Sequence, residues 1–141
     1  MSVRGTVLPR LLGLLFLGMA AGQLADVTGF QAILATYDIA SPRLLAVLLL
    51  SGELLAGAWL GLVPRREPIV AAMVFAATSV LWSLLAVQAF LRGLALPNCG
   101  CFGIYRGQPL RWWVLGQDAL LLLYSALLLE RARPRRTAAL R

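Results

Sequence analysis

The chain has 141 residues, 60% of them hydrophobic, two cysteines, no histidine and a net charge of +7 carried wholly by arginine. Soluble globular domains run nearer about 45–50% apolar, so this composition excludes one; nucleotide-binding glycine loops, Ser/His/Asp sets and zinc motifs are absent as well, which leaves hydrolysis and phosphoryl transfer unsupported. A basic balance can signal nucleic acid, but these arginines stand at the ends of apolar runs, where membrane topology accounts for them and no nucleic-acid partner is expected.

Four apolar runs reach the length of about 20 residues that a membrane helix needs, and the connections are too short for a further domain. Residues 1–141 are therefore expected to form a single integral membrane domain. Its fold class is all-α, a four-transmembrane-helix bundle with a short interfacial amphipathic helix between the first two spans. Arg4 and Arg10 precede the first run, Leu11 to Ala21. That outline also fits a signal peptide with a small-residue cleavage zone at Met19-Ala20-Ala21. Gly18 and Gly22 form a small-xxx-small pair suited to close helix packing, which favours a retained span over 7–24. Between Asp26 and Ser41, Phe30, Ile33, Leu34 and Tyr37 recur at helical spacing, the pattern of a helix lying in the interface.

Pro42 opens the second span, over 42–63, at a favoured first-turn position. Glu53, Gly57 and Gly61 share one of its faces, and Glu53 lies about 16 Å into it at the helical rise. A carboxyl at that depth is a functional candidate; the other reading is a protonated carboxyl hydrogen-bonded to a neighbouring helix. Pro64-Arg65-Arg66-Glu67-Pro68 makes a tight basic turn. The third span, 69–91, carries Ser79 and Ser83 on a face with Ala76 and Ala86, suited to interhelical contact, and Gln88 near its far end. The fourth span, 112–129, opens on the interfacial pair Trp112-Trp113 and holds Asp118 about 9 Å inside its edge. A basic tail, 130–141, follows.

The loop over 92–111 holds the stretch that gives the chain its chemistry, Asn98-Cys99-Gly100-Cys101-Phe102-Gly103. Bridging cysteines two apart is demanding, because disulfide geometry wants their Cα atoms roughly 4.4–6.8 Å apart. Gly100 permits the bend that closes this distance. So small a ring is strained, and strained, exposed disulfides are the exchangeable ones. A structural disulfide would remove little chain entropy from so short a loop. No metal is expected from two thiols alone, apart from copper(I) shared with a partner. Buried cysteines serving as small apolar residues conflict with Pro97, Asn98, Gly100 and Gly103, which mark an exposed turn. Redox exchange is the leading reading, with Arg92 and Arg106 as the nearby cations that could favour a thiolate.

Four spans put the N-terminus, the 64–68 turn and the tail on one side, with Arg4, Arg10, Arg65, Arg66, Arg131, Arg133, Arg135, Arg136 and Arg141. Arg43, Arg92, Arg106 and Arg111 fall on the other. The positive-inside rule then sets both termini in the cytoplasm and the cysteine loop outside the inner or plasma membrane, where disulfides persist.

These residues resemble the MauE family of methylamine-utilisation proteins, grouped with DoxX-like membrane proteins. The resemblance covers most of the chain and rests on the Cys99-Gly100-Cys101-Phe102-Gly103 signature between the third and fourth spans. Phe30 and Tyr37 match an aromatic-then-tyrosine pattern, Pro42 the proline opening the second helix, Glu53 and Gly57 a Glu with Gly four residues on, and Trp112 the tryptophan after the loop. Gln117 and Asp118 stand where the family has Arg-Asn or Arg-Asp, and Gln23 replaces a common lysine, so two positive charges are missing. The resemblance implies thiol redox maturation of an extracytoplasmic client with a thioredoxin-like partner. The outline is also similar to vitamin K epoxide reductase-type proteins, which pass electrons to a quinone, though their Cys-x-x-Cys is absent.

The mechanism expected is thiol–disulfide exchange through Cys99 and Cys101, one forming a mixed disulfide and the other resolving it. A membrane quinone as acceptor would make Asp118 the first proton relay and Glu53 the second; Asp118 also reads as a carboxylate favoured by the helix dipole. Two other classes remain open. A non-enzymatic assembly factor would dock a partner through the CGC loop and tolerate loss of both thiols. A transporter of a small thiol or sulfur species would line its path with Glu53 and Asp118, although no internal repeat of the kind transporters show is visible.

Overall fold

A computed structural model of the protein describes residues 4–63 and 69–132. The expected 64–68 turn and most of the basic tail lie outside the described residues, and with them Arg65, Arg66, Arg133, Arg135, Arg136 and Arg141. The described elements are helices in the order α1 (Arg4–Leu24), α2 (Val27–Ala35), α3 (Pro42–Leu62), α4 (Ile69–Leu91) and α5 (Trp112–Ala132). Four are long and apolar enough to cross a membrane: Val7–Leu24, Pro42–Leu62, Ile69–Leu91 and Trp112–Ala132. The architecture is a four-helix membrane bundle, and its spans fall where the apolar runs place them. The helices overrun their expected bounds at two ends: α1 begins at Arg4, ahead of its apolar run, and α5 continues through Glu130 and Arg131 beyond its own.

Local signals set the boundaries. Pro42 occupies the first turn of α3, behind Ser41 at its N-cap, where a missing N–H costs nothing. Asp26 caps α2, its carboxylate accepting a hydrogen bond from the Gly29 N–H at 2.8 Å. Packing runs in a row: α1 lies along α3, α3 joins α4, and α4 carries α5. Leucines such as Leu11, Leu14, Leu44, Leu55, Leu84 and Leu123 remain exposed around the outside, as lipid-facing positions should.

In lipid, helices associate by close packing and hydrogen bonding rather than by escape from water, so small residues decide where they touch. The α1–α3 contact is made by Gly13 against the backbone of Gly61, with Gly57 against Leu17 and the Gly13 carbonyl. This corrects the expectation for Gly18 and Gly22. Gly18 faces open space, and Gly22 abuts the backbone of Phe102 in the cysteine turn rather than another helix. Phe16 of α1 stacks on Phe75 of α4 with centroids 4.3 Å apart, filling the layer between them. Ser79 and Ser83 are buried as expected, but their hydroxyls donate back to the carbonyls of Phe75 and Ser79, satisfying themselves within α4.

α2 carries the apolar face its spacing predicts, and that face turns inward against protein. Phe30 and Leu34 are fully buried and so, just beyond the helix, is Tyr37; Phe30 lies 6.4 Å from Trp82 between centroids. The Tyr37–Asp38 corner is held down from the end of α4, where Gln88 donates to the Tyr37 carbonyl at 3.3 Å and Arg92, just past the helix, pairs with the Asp38 carboxylate. α2 thus closes one end of the bundle, over the cysteines.

Candidate functional site

The loop joining α4 to α5 is a folded structure. The Leu110 N–H donates to the Leu96 carbonyl at 3.0 Å and the Cys99 N–H to the Gln108 carbonyl at 2.7 Å, tying its two arms together. Gln108 in turn donates to the Gln117 side chain on α5 at 2.9 Å. At its tip Asn98 makes an Asx turn, accepting from the Gly100 N–H at 2.9 Å and donating to the Gly103 carbonyl at 3.0 Å. Gly100 and Gly103 adopt φ of 83° and 67°, left-handed values that side chains resist. Gly103 also lies directly against the Gly22 carbonyl of α1, so the turn rests on that helix end with no room for a Cβ.

This bend brings the thiols together. Cys99 and Cys101 are free, with their sulfurs 3.2 Å apart and joined by a hydrogen bond. They are not exposed, contrary to the expectation of an open turn. Cys99 is 2% exposed and Cys101 half-buried. The cause is α2: Ile33 and Phe30 crowd Gly100, and the Tyr37 hydroxyl donates to the Cys99 carbonyl at 2.7 Å. A turn that is polar in sequence is roofed by a helix some 60 residues away.

The two thiols differ. The hydrogen bond it shares with Cys101 brings the Cys99 pKa down to about 7, against the opposing effect of burial. The same bond and burial push Cys101 well above an ordinary thiol. The charge of Asp118 reaches both sulfurs and raises each. Burial likewise pushes the Tyr37 hydroxyl up, so it serves as a neutral donor. Arg92 is not the thiolate's partner: it is committed to Asp38 and the Tyr37 carbonyl. Arg106 is exposed at the loop surface.

Beneath the turn lies a buried polar cluster. Glu53 Oε1 accepts from Trp82 Nε1 at 2.7 Å and from Gln23 Nε2 at 3.2 Å, and Gln23 Nε2 also donates to the Cys101 carbonyl at 3.0 Å. Gln23 and Glu53 are fully buried. Among the described residues, three buried side-chain atoms have no partner: Gln23 Oε1, Glu53 Oε2 and Asp118 Oδ2. The cluster therefore connects Glu53 to the cysteines through Gln23, while Asp118 approaches them from α5. A quinone would need free donors at its carbonyl oxygens; the donors of Gln23, Trp82 and Tyr37 are all engaged, so these residues do not fit one. Among the described residues no three His, Cys, Asp or Glu side chains gather as a metal site.

Sequence reading singled out Cys99, Cys101, Glu53 and Asp118, read Asn98 as a turn residue, and missed the roles of Gln23, Tyr37 and Trp82. Asn98 carried a signal, since Pro-Asn before a glycine marks a turn. Gln23 and Tyr37 carried none that spacing could reveal, being 78 and 62 residues from the carbonyls they hold.

Neither the curated proteins nor the solved structures include a match to the chain. A family model described as "Methylamine utilisation protein MauE" matches residues 1–130. With all four membrane helices beginning inside that match, the chain belongs to the MauE family.

Proposed function

We propose that this multi-pass membrane protein is a thiol–disulfide exchange protein that works through Cys99 and Cys101 on a thioredoxin-like partner outside the cytoplasm, in support of disulfide formation in a client protein. The observation that carries the reading is the contact of two unlike thiols, 3.2 Å apart, in a turn fixed by Tyr37, Gln23 and Asn98. Membership of the MauE family is compatible with a membrane redox role.

Cys101, half-buried, is the sulfur a partner meets, and Cys99 is the one released. A partner thiolate attacks Cys101 of the oxidised pair; the Cys99–Cys101 bond breaks, a mixed disulfide forms at Cys101 and Cys99 leaves as thiolate. The partner's second thiolate then attacks its own bridged sulfur, expelling Cys101. One disulfide is consumed and one formed, two electrons pass from the partner to the cysteine pair, and the partner's two protons end on the pair or its surroundings. Asp118, whose charge reaches the thiols and whose Oδ2 has no partner, receives a proton during exchange, and Glu53 steadies the turn through Gln23. The hydrogen bond between the thiols stabilises the reduced form, which makes a couple more oxidising.

Alkylation of the purified protein against a graded thiol redox buffer tests this. A reversible couple at an oxidising potential, with Cys99→Ser trapping a mixed disulfide at Cys101, is expected. A pair that stays reduced throughout, or full function in a chain with both cysteines changed to serine, would overturn it.

A further inference from the structure

Gln23 stands between two things of different kind. On one side it donates to Glu53 Oε1, and on the other to the carbonyl of Cys101. It is fully buried, as is Glu53. The groups facing Glu53 are Gln23 from α1 and Trp82 from α4, with Cys101 of the turn beyond Gln23. No cation is among them, and the ion pair found among the described residues is Arg92 with Asp38.

The unpartnered atoms decide the state of this cluster. A carboxylic acid paired with a primary amide makes two antiparallel hydrogen bonds, from amide N–H to carboxyl oxygen and from carboxyl O–H to amide oxygen. The first is present between Gln23 and Glu53. The two atoms that would make the second, Glu53 Oε2 and Gln23 Oε1, are both among the buried atoms left without partners. Both are acceptors, so a proton on Glu53 supplies the donor they lack, whereas a bare carboxylate there would be an unpaired charge deep in an apolar bundle.

We propose that Gln23 is the positioning residue of the thiol pair: its amide joins a neutral Glu53 carboxyl to the Cys101 carbonyl, so that the proton on Glu53 holds the Cys99-Gly100-Cys101 turn in place. An ionised Glu53 would have a second acceptor to satisfy, and the amide already bonded to it carries a further hydrogen, the one now given to Cys101. Drawing it away frees the Cys101 side of the turn, while Tyr37 keeps its hold on Cys99. The redox consequence rests on the thiol-exchange reading; the positioning itself does not.

The test uses the full-length dithiol protein in lipid. Infrared spectroscopy at neutral pH should show the carbonyl band of a protonated carboxyl that disappears in Glu53→Gln and moves in Gln23→Leu. Alkylation of Cys101 should be about tenfold faster in Gln23→Leu, the worth of one buried hydrogen bond. Glu53→Gln, which offers Gln23 the same acceptor and a donor in place of the acid O–H, should keep the wild-type rate. Gln23→Asn, which retains an amide but falls short of Cys101, should be faster than wild type and serves where Gln23→Leu does not fold. The dithiol–disulfide equilibrium should shift about tenfold in either Gln23 variant, or ~30 mV for this two-electron couple. Absence of the band in the wild type, a band that Gln23→Leu leaves unmoved, or an unchanged Cys101 alkylation rate overturns the proposal. A wild-type pair without a reversible couple sinks thiol exchange instead, and the band and alkylation rates then decide the positioning on their own.

Discussion

Each of the two cysteines is set by a neighbour that the other does not share. Cys99 has its carbonyl on Tyr37 and its sulfur brought to about 7 by Cys101, and Cys101 has its carbonyl on Gln23. Because the lowered thiol is reactive as the thiolate, alkylation at Cys99 should rise through about pH 7 and fall away below it. In Cys101→Ala the hydrogen bond that lowers it is gone, and the midpoint should move up toward that of an ordinary thiol; mass spectrometry of the alkylated peptide over a pH series measures both. An unmoved midpoint would show that something other than the Cys101 thiol controls Cys99. Tyr37→Phe removes the donor to Cys99 and leaves a buried carbonyl unsatisfied, at a cost of about 1–3 kcal/mol. Thermal unfolding in detergent should register that loss, with faster alkylation of Cys99 accompanying it.

Helices α1 and α3 meet where glycine permits backbone contact, and the two glycines of α1 that flank the contact layer differ sharply. A Cβ at Gly13 would run into the Gly61 backbone, which cannot swing aside as a side chain can, whereas a Cβ at Gly18 would meet nothing. Gly13→Val is therefore expected to lose about 1–3 kcal/mol by overpacking, and Gly18→Val to stay within about 0.5 kcal/mol of wild type. Detergent-denaturation midpoints of the two variants compare them directly; equal losses would mean that the α1–α3 contact lies elsewhere. α2 shows how a short amphipathic pattern leaves its partner open. The spacing of Phe30, Leu34 and Tyr37 defines an apolar face for lipid or protein alike, and Trp82 of α4 together with the chain's return at Cys99–Gly103 supplies protein surface that covers it.

At the scale of the whole molecule, the even number of spans and the excess of arginine beside the termini predict a cysteine loop outside the cytoplasm. A cysteine at exposed Tyr105, in a chain lacking Cys99 and Cys101, should react with a membrane-impermeant maleimide in intact cells or spheroplasts. One placed in the basic tail should react only after lysis; the reverse pattern would invert the topology. The four spans and the cysteine turn were legible in the sequence, because membrane helices announce themselves by unbroken apolar length and turns by glycine, proline and asparagine. Cys99, Cys101, Glu53 and Asp118 stood out for a similar reason, being reactive or ionisable groups in an apolar chain. What joins them could not be read there. Whether Gly13 or Gly18 meets α3 depends on the rotation and crossing of two helices. Whether the thiols are open or roofed depends on α2 folding back over the loop. That Gln23 links Glu53 to Cys101 depends on three segments distant in sequence meeting in space. Local chemistry determined the parts, and tertiary packing decided their neighbours, since hydrogen bonds and burial between distant segments leave no periodic trace along the chain.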